Sequence, residues 1–172
     1  MSLFQFRSVL LALTLFFGSA VAASQTGESV ISRFSEKPVP RFESLRFGEV
    51  NGRQGPSADH RIIWKYQKLG LPILILRETK DWWRVRDHAG DEVWIKTNQL
   101  SSRRTVLLTQ DSIMRRNPSS DAAGIALLKT GLIAELRDCE NNWCQIAVRG
   151  EQGWIPETDI WGAPSQLFTG SQ

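Results

Sequence analysis

Few residues in this chain of 172 could carry chemistry, and most of those that could are aromatic. The two cysteines, Cys139 and Cys144, flank Glu140-Asn141-Asn142-Trp143, a segment rich in turn-forming residues. Cysteines at the mouth of a hairpin can bring their Cα atoms within the roughly 4.4–6.8 Å that a disulfide spans. In an exported chain, which the N-terminal segment indicates, a disulfide is the favoured reading. The rival reading, a C-x4-C metal or redox pair, lacks partners, because both histidines, His60 and His88, are distant in sequence. Those histidines show no H-E-x-x-H spacing, and no G-x-x-x-x-G-K or dinucleotide-binding glycine pattern occurs. Asp81, Asp87 and Asp91 fall at loop ends, where solvated turn roles explain them. The expectation is a protein without catalysis, metal or cofactor.

Recognition is the chemistry that remains. All seven tryptophans follow the first two dozen residues, and an exposed indole beside a groove is a natural contact for a sugar face or a peptide. If Val85 and Ile146 point inward, strand alternation turns Trp82 and Trp143 outward, three residues earlier. These two are the leading candidates for ligand contact. Trp83 then points inward or toward one end of its domain, and its counterpart in the second half is Cys144. Trp94 and Trp154 close their strands and are expected as core or rim residues, with a ligand role as the second reading. Arg53 and Arg115, at matching places beside a turn, are expected to tie loops to backbone carbonyls, with ligand binding again second. Trp161 is expected to seal a barrel or pack at a domain junction.

The elements that must position these side chains occur twice. Arg53-Gln54-Gly55-Pro56-Ser57 matches Arg115-Arg116-Asn117-Pro118-Ser119 at an offset of 62, and Trp82 with Val85 matches Trp143 with Ile146 at 61. Trp94-Ile95 matches Trp154-Ile155 at 60. A drifting offset is what small loop insertions leave behind, and a period of this size suits a whole small domain. Within each copy the segments are short, β-rich and separated by turn signals, with nothing of helical period. Five or so strands in about 60 residues favour a small, highly bent barrel. The expected fold is all-β, two tandem small barrels after a cleaved signal peptide.

The order of these motifs carries a resemblance. R-x-x-P-S, a glycine before a β-rich strand, W-x-x-V or W-x-x-I, and a turn glycine ahead of Trp-Ile together resemble the bacterial SH3-like (SH3b) domain, twice over. Asp81-Trp82-Trp83-Arg84-Val85-Arg86 resembles the paired-Trp strand of eukaryotic SH3 domains, and Gly153 to Ile160 their closing turn. The resemblance implies an SH3-like fold and non-catalytic binding, with Trp82 and Trp143 at the place of the ligand-contacting first Trp. The acidic loop that eukaryotic domains use for Pro-rich ligands has no match. Family members place an aliphatic residue before the Arg of the first motif, as Met114 does. Gly52 stands there in the first copy, where it buries nothing and permits a bulged backbone.

Residues 1–23 read as a secretory signal peptide: one basic residue, the apolar run Val9 to Phe17, and small residues giving cleavage near Ala22-Ala23. The run is too short to span a membrane, so no stable insertion is expected once it is cleaved. Residues 24–41 read as a flexible polar arm kept extended by Pro38 and Pro40. SH3-like domains are expected at 42–100 and 104–161, then a tail at 162–172, and the short link implies that the domains touch. A formal charge of +3 implies no nucleic-acid partner. By resemblance the protein is periplasmic in a Gram-negative envelope and binds peptidoglycan, as glycan or stem peptide. The alternatives are a periplasmic protein–protein adaptor or a regulatory subunit of a separate wall hydrolase. Oligomeric state is left open.

Overall fold

A computed structural model describes residues 29–167. The expected signal peptide, the first residues of the arm and the end of the tail lie outside them. The described chain is all-β, apart from three single 3-10 turns. After a short hairpin of β1 (Val30–Ile31) and β2 (Pro38–Val39), the first unit comprises β3 (Arg41–Leu45), β4 (Val50–Arg53), β5 (Ile62–Tyr66), β6 (Pro72–Glu78), β7 (Trp82–Arg86), β8 (Glu92–Lys96) and β9 (Leu100–Ser101). The second comprises β10 (Thr105–Leu108), β11 (Ser112–Arg115), β12 (Gly124–Leu128), β13 (Ile133–Glu140), β14 (Trp143–Val148), β15 (Glu151–Pro156) and β16 (Ile160–Trp161).

Each unit is one seven-stranded antiparallel sheet. The strand orders, β5-β4-β8-β7-β6-β3-β9 and β12-β11-β15-β14-β13-β10-β16, are identical once seven is added to each strand number. Even the irregularities repeat. A register shift follows Gly52 in one unit and Met114 in the other, and another lies between Ile75 and Arg77 and between Leu136 and Asp138. One apolar cluster collects inward side chains from every strand of the first unit, among them Leu45, Val50, Ile73, Val85, Ile95 and Leu100. A sheet that contributes all its strands to one core must curl around it.

The bulge after Met114 shows that Gly52 is not there to permit one, as its sequence context suggested. Its reason is steric. A Cβ on Gly52 would come within 2.7 Å of the Val93 side chain, whereas a Cβ on Gly153, the counterpart of Val93, would come within 2.6 Å of Met114. Each unit has room for one large side chain between these two strands, and the two units place it on opposite strands.

The units touch, as their short link implies. Leu107, Ile133 and Trp161 of the second unit pack against the core cluster of the first, and Trp161 meets Phe42 edge-on at 5.2 Å. Thr105 donates to the Gly70 carbonyl at 2.7 Å and Lys68 to that of Gly131 at 3.1 Å. This junction explains why Pro72 to Ile75 are buried without alternation, since one face of β6 meets its own core and the other lies at the neighbour.

The arm departs from expectation in its described part. Instead of running extended, it turns back so that Val30 pairs with Val39 and Ile31 with Pro38. Ser32 and Ser35 donate to the Glu78 carboxylate at 2.5 and 2.9 Å. Arg41 pairs with Glu78 at 2.5 Å and Glu43 at 2.9 Å, and Lys37 reaches Glu43 at 3.4 Å. Buried carboxylates must be matched by donors, and this hairpin supplies them together with Arg41 of β3.

Two outcomes test these contacts. Burial alone would raise the Glu78 pKa, but hydrogen bonds from Ser32, Ser35 and Arg41 outweigh it and hold the group below its usual 4.5. A carboxyl depressed on folding stabilises the folded state above its unfolded pKa, and that contribution disappears as pH falls through the folded value. Amide exchange across residues 30–39 should therefore accelerate only below about pH 4.5, and Glu78→Ala should accelerate it at neutral pH, costing about 1.5–3 kcal/mol. Denaturant unfolding should show Gly52→Met destabilising by about 1–3 kcal/mol through overpacking. Adding Val93→Gly should recover most of that loss, because the two sites share one space; additive losses would refute the shared-space account.

Candidate functional site

The outward face of strands β7 and β8 begins from one fact of alternation. Val85 and Ile95 are fully buried, so Trp82, Arg84 and Arg86 project from the other side of β7, and Glu92, Trp94 and Lys96 from the other side of β8. Cross-strand register sets Trp82 opposite Lys96, Arg84 opposite Trp94, and Arg86 opposite Glu92. In the second unit Trp143 stands opposite Pro156, Gln145 opposite Trp154, and Ala147 opposite Gln152. All four indoles are half-buried. Trp82 and Trp143 lie on the outer face as expected. Trp94 and Trp154 belong to neither core cluster and share that outer face, diagonal to Trp82 and Trp143. Their place at the end of an apolar strand concealed this, because orientation follows parity rather than distance from the strand end.

Arg53 and Arg115 enter this face from the strand crossing, where each is the register partner of the indole, Trp94 or Trp154. Arg53 Nη1 donates to the carbonyls of Ala58 and His60 at 2.8 and 2.6 Å, and Arg115 Nη1 to that of Ala122 at 2.7 Å. Each thus closes its neighbouring loop, and the Arg53 guanidinium also lies 5.9 Å from the Trp82 ring centre. Gly55 sits in that loop for want of space, since a Cβ there would come within 2.3 Å of the His60 ring.

Trp83 points inward, half-buried against the core of its unit, with the Arg41 guanidinium 4.7 Å from its ring. Its register partner is Glu78. The same cross-strand position in the second unit is held by Cys139 and Cys144, which form a disulfide across a Cα separation of 4.1 Å. Glu157 lies with the two sulfurs in a group within 4.8 Å, but the disulfide leaves no thiolate to offer a metal. Two chemically unrelated clamps therefore close equivalent hairpins, an ion network in one and a covalent bond in the other.

The buried Tyr66–Asp87 pair is structural. Tyr66 is buried and donates to Asp87 at 3.1 Å. Burial first, and the neighbouring Asp87 carboxylate second, push the phenol far above its ordinary range, so it stays protonated. Asp87 also accepts from the Ala89 and Asp91 amides, which fixes the hairpin turn. His60 accompanies Ser57 in an exposed loop, with Ser57 Oγ 2.9 Å from Nδ1. Lys96, Arg84 and Pro156 were missed as face residues, although the alternation of W-x-R-x-R and E-x-W-x-K makes the first two readable.

The Bacterial SH3 domain family profile matches residues 48–102 and again residues 111–162. Among solved structures, NlpC2 from Trichomonas vaginalis is similar over 74% of this chain and 49% of its own, at 16% identity and a TM-score of 0.36. An NlpC/P60 family protein from Bacillus cereus is similar over 70% of this chain and 55% of its own, at 13% identity and a TM-score of 0.34. The chain spans about half the length of these structures. No curated protein matches it.

The disulfide offers a direct test of the two-clamp arrangement. Cys139→Ala with Cys144→Ala should lower stability by about 2 kcal/mol, the chain-entropy value for so short a loop. Amide exchange should increase in β13 and β14 while β6 and β7 stay protected.

Proposed function

The chain belongs to the bacterial SH3 domain family through both of its units, and from that premise we propose that it is a non-catalytic binding module of the cell envelope. Bacterial SH3 domains are as a rule non-catalytic and point to an extracellular or envelope protein. No helix among the described residues is long and apolar enough to cross a membrane. On our reading the protein is exported to the periplasm and binds peptidoglycan. One observation carries this reading. Two half-buried indoles share an outward sheet face in each unit, at the same register positions, beside an arginine already held by its loop. Flat aromatic surfaces held on rigid strands suit the apolar faces of sugar rings and lose little side-chain freedom on binding. Two such faces on touching units also favour a polymer with repeated epitopes, where the second contact becomes intramolecular.

A second reading, an adaptor that takes up an extended segment of a periplasmic protein, has its own support. The end strands β5 and β12 expose Ile62, Ile63, Trp64, Ile125 and Leu127, and an unpaired strand edge is a ready template for strand addition. Regulation of a separate wall hydrolase would use the same edges.

The deciding experiment is cosedimentation of the chain from Ser24, under oxidising conditions, with bare sacculi. Binding should occur, and Trp82→Ala and Trp143→Ala should each weaken it at least several-fold, as expected for aromatic contacts worth about 1–3 kcal/mol. No binding by folded wild type would exclude the wall reading and leave the strand edges as the site to probe by crosslinking.

A further inference from the structure

The duplication supplies an internal comparison. The two outer faces have the same strands, the same register, the same two indoles and the same loop-tying arginine, yet their charge differs. In the first unit Arg84, Arg86 and Lys96 stand among the indoles with Glu92 as the one carboxylate. The matched positions of the second unit are Gln145, Ala147, Pro156 and Gln152. Every ionised group in these rows of the first face has an uncharged counterpart in the second.

The charges of the first face are also ordered. Glu92 takes Arg84 Nη2 on one carboxylate oxygen at 2.5 Å and Arg86 Nη2 on the other at 2.7 Å. That clamp holds two guanidinium groups side by side next to Trp94 while neutralising only one of them. Lys96 makes no ion pair among the described residues and is exposed directly across from Trp82. The Arg84 side chain keeps 47% of its surface accessible despite its pairing. Cations set along an aromatic sheet face attract an oxyanion carried by a ligand that also offers a flat surface. The fork of Arg and the point charge of Lys both suit a carboxylate.

We propose that the two faces recognise different parts of one polymer: the first unit binds a carboxylate-bearing segment of the wall glycopeptide through Trp82, Arg84, Trp94 and Lys96, and the second binds an uncharged segment through Trp143, Trp154 and Pro156. This rests on the wall-binding reading and assigns a ligand chemistry to each unit. Ion pairing at an exposed face is screened by salt over about 8–10 Å, so binding through the first face weakens with ionic strength and binding through the second does not.

The test uses the exported chain with its disulfide intact and two preparations of sacculi, one untreated and one with its carboxylates converted to amides. Wild type should bind the amidated wall more weakly. Arg84→Gln with Lys96→Gln should lower affinity for untreated wall by roughly three- to tenfold and lower affinity for amidated wall by a smaller factor. The charge-preserving pair Arg84→Lys with Lys96→Arg should retain at least part of the difference, and near-ultraviolet circular dichroism should show each variant folded. Equal wild-type binding to both preparations would overturn the charge assignment while leaving wall binding intact. An unchanged affinity of the neutralised variant for untreated wall would overturn it too. No binding to either preparation would remove the wall reading and this proposal together.

Discussion

In each unit the second and sixth strands along the chain, β4 with β8 or β11 with β15, meet at a single residue pair, Arg53 with Trp94 or Arg115 with Trp154. That crossing joins one end of the strand order to the middle and lets the sheet curl around one core. Two strands brought so close leave space for one large side chain between them. Gly52 faces Val93 in the first unit, and Met114 faces Gly153 in the second. The core, the bulge just before the crossing and the arginine beside the indole all depend on this close approach. A side chain on both strands would separate them, and the outward face would lose the neighbour that borders it.

Once the crossing is made, the far ends of the central hairpins need a separate closure, and here the copies have diverged. The first uses Glu78, Arg41 and the two serines of the N-terminal hairpin, with Trp83 beneath them. The second uses the Cys139–Cys144 disulfide. A buried carboxylate requires several donors, and two of these, Ser32 and Ser35, come from a segment outside the unit. A disulfide requires nothing but its partner. The first unit is thereby tied to the chain that precedes it, and its core is further extended by Leu107, Ile133 and Trp161 from the unit that follows. The scaffold is shared and the clamps are not, which parallels the outer faces, where the indoles are shared and the charges are not.

Much of the architecture was legible in the chain. The duplicated Arg-Pro-Ser and Trp motifs indicated two copies of a small β domain, and alternation from Val85 and Ile146 indicated that Trp82 and Trp143 face outward. The cysteines flanking Asn141-Asn142 indicated a disulfide. The misjudged positions were those whose role depends on a residue distant in sequence. Gly52 looked like a lost core residue because its occupant, Val93, lies across the crossing. Trp94 and Trp154, expected as core or rim residues from their place at the strand end, belong to the outer face, where only the register shows that Arg53 and Arg115 border them. The arm looked extended because Glu78, the group that draws Ser32 and Ser35 back, follows more than forty residues later.

The sequence by itself determined the number of units, their all-β character and the outward direction of two indoles, because repeats, turn residues and a period of two are local properties of a strand-forming chain. Tertiary structure decided which residues became neighbours across strands. It set Lys96 against Trp82 and Pro156 against Trp143, aligned Glu78 with the position of Cys139, and seated Trp161 against Phe42. Those pairings follow from the register and from one shared volume at each crossing, and register is fixed only when all strands of the sheet pack on their common core.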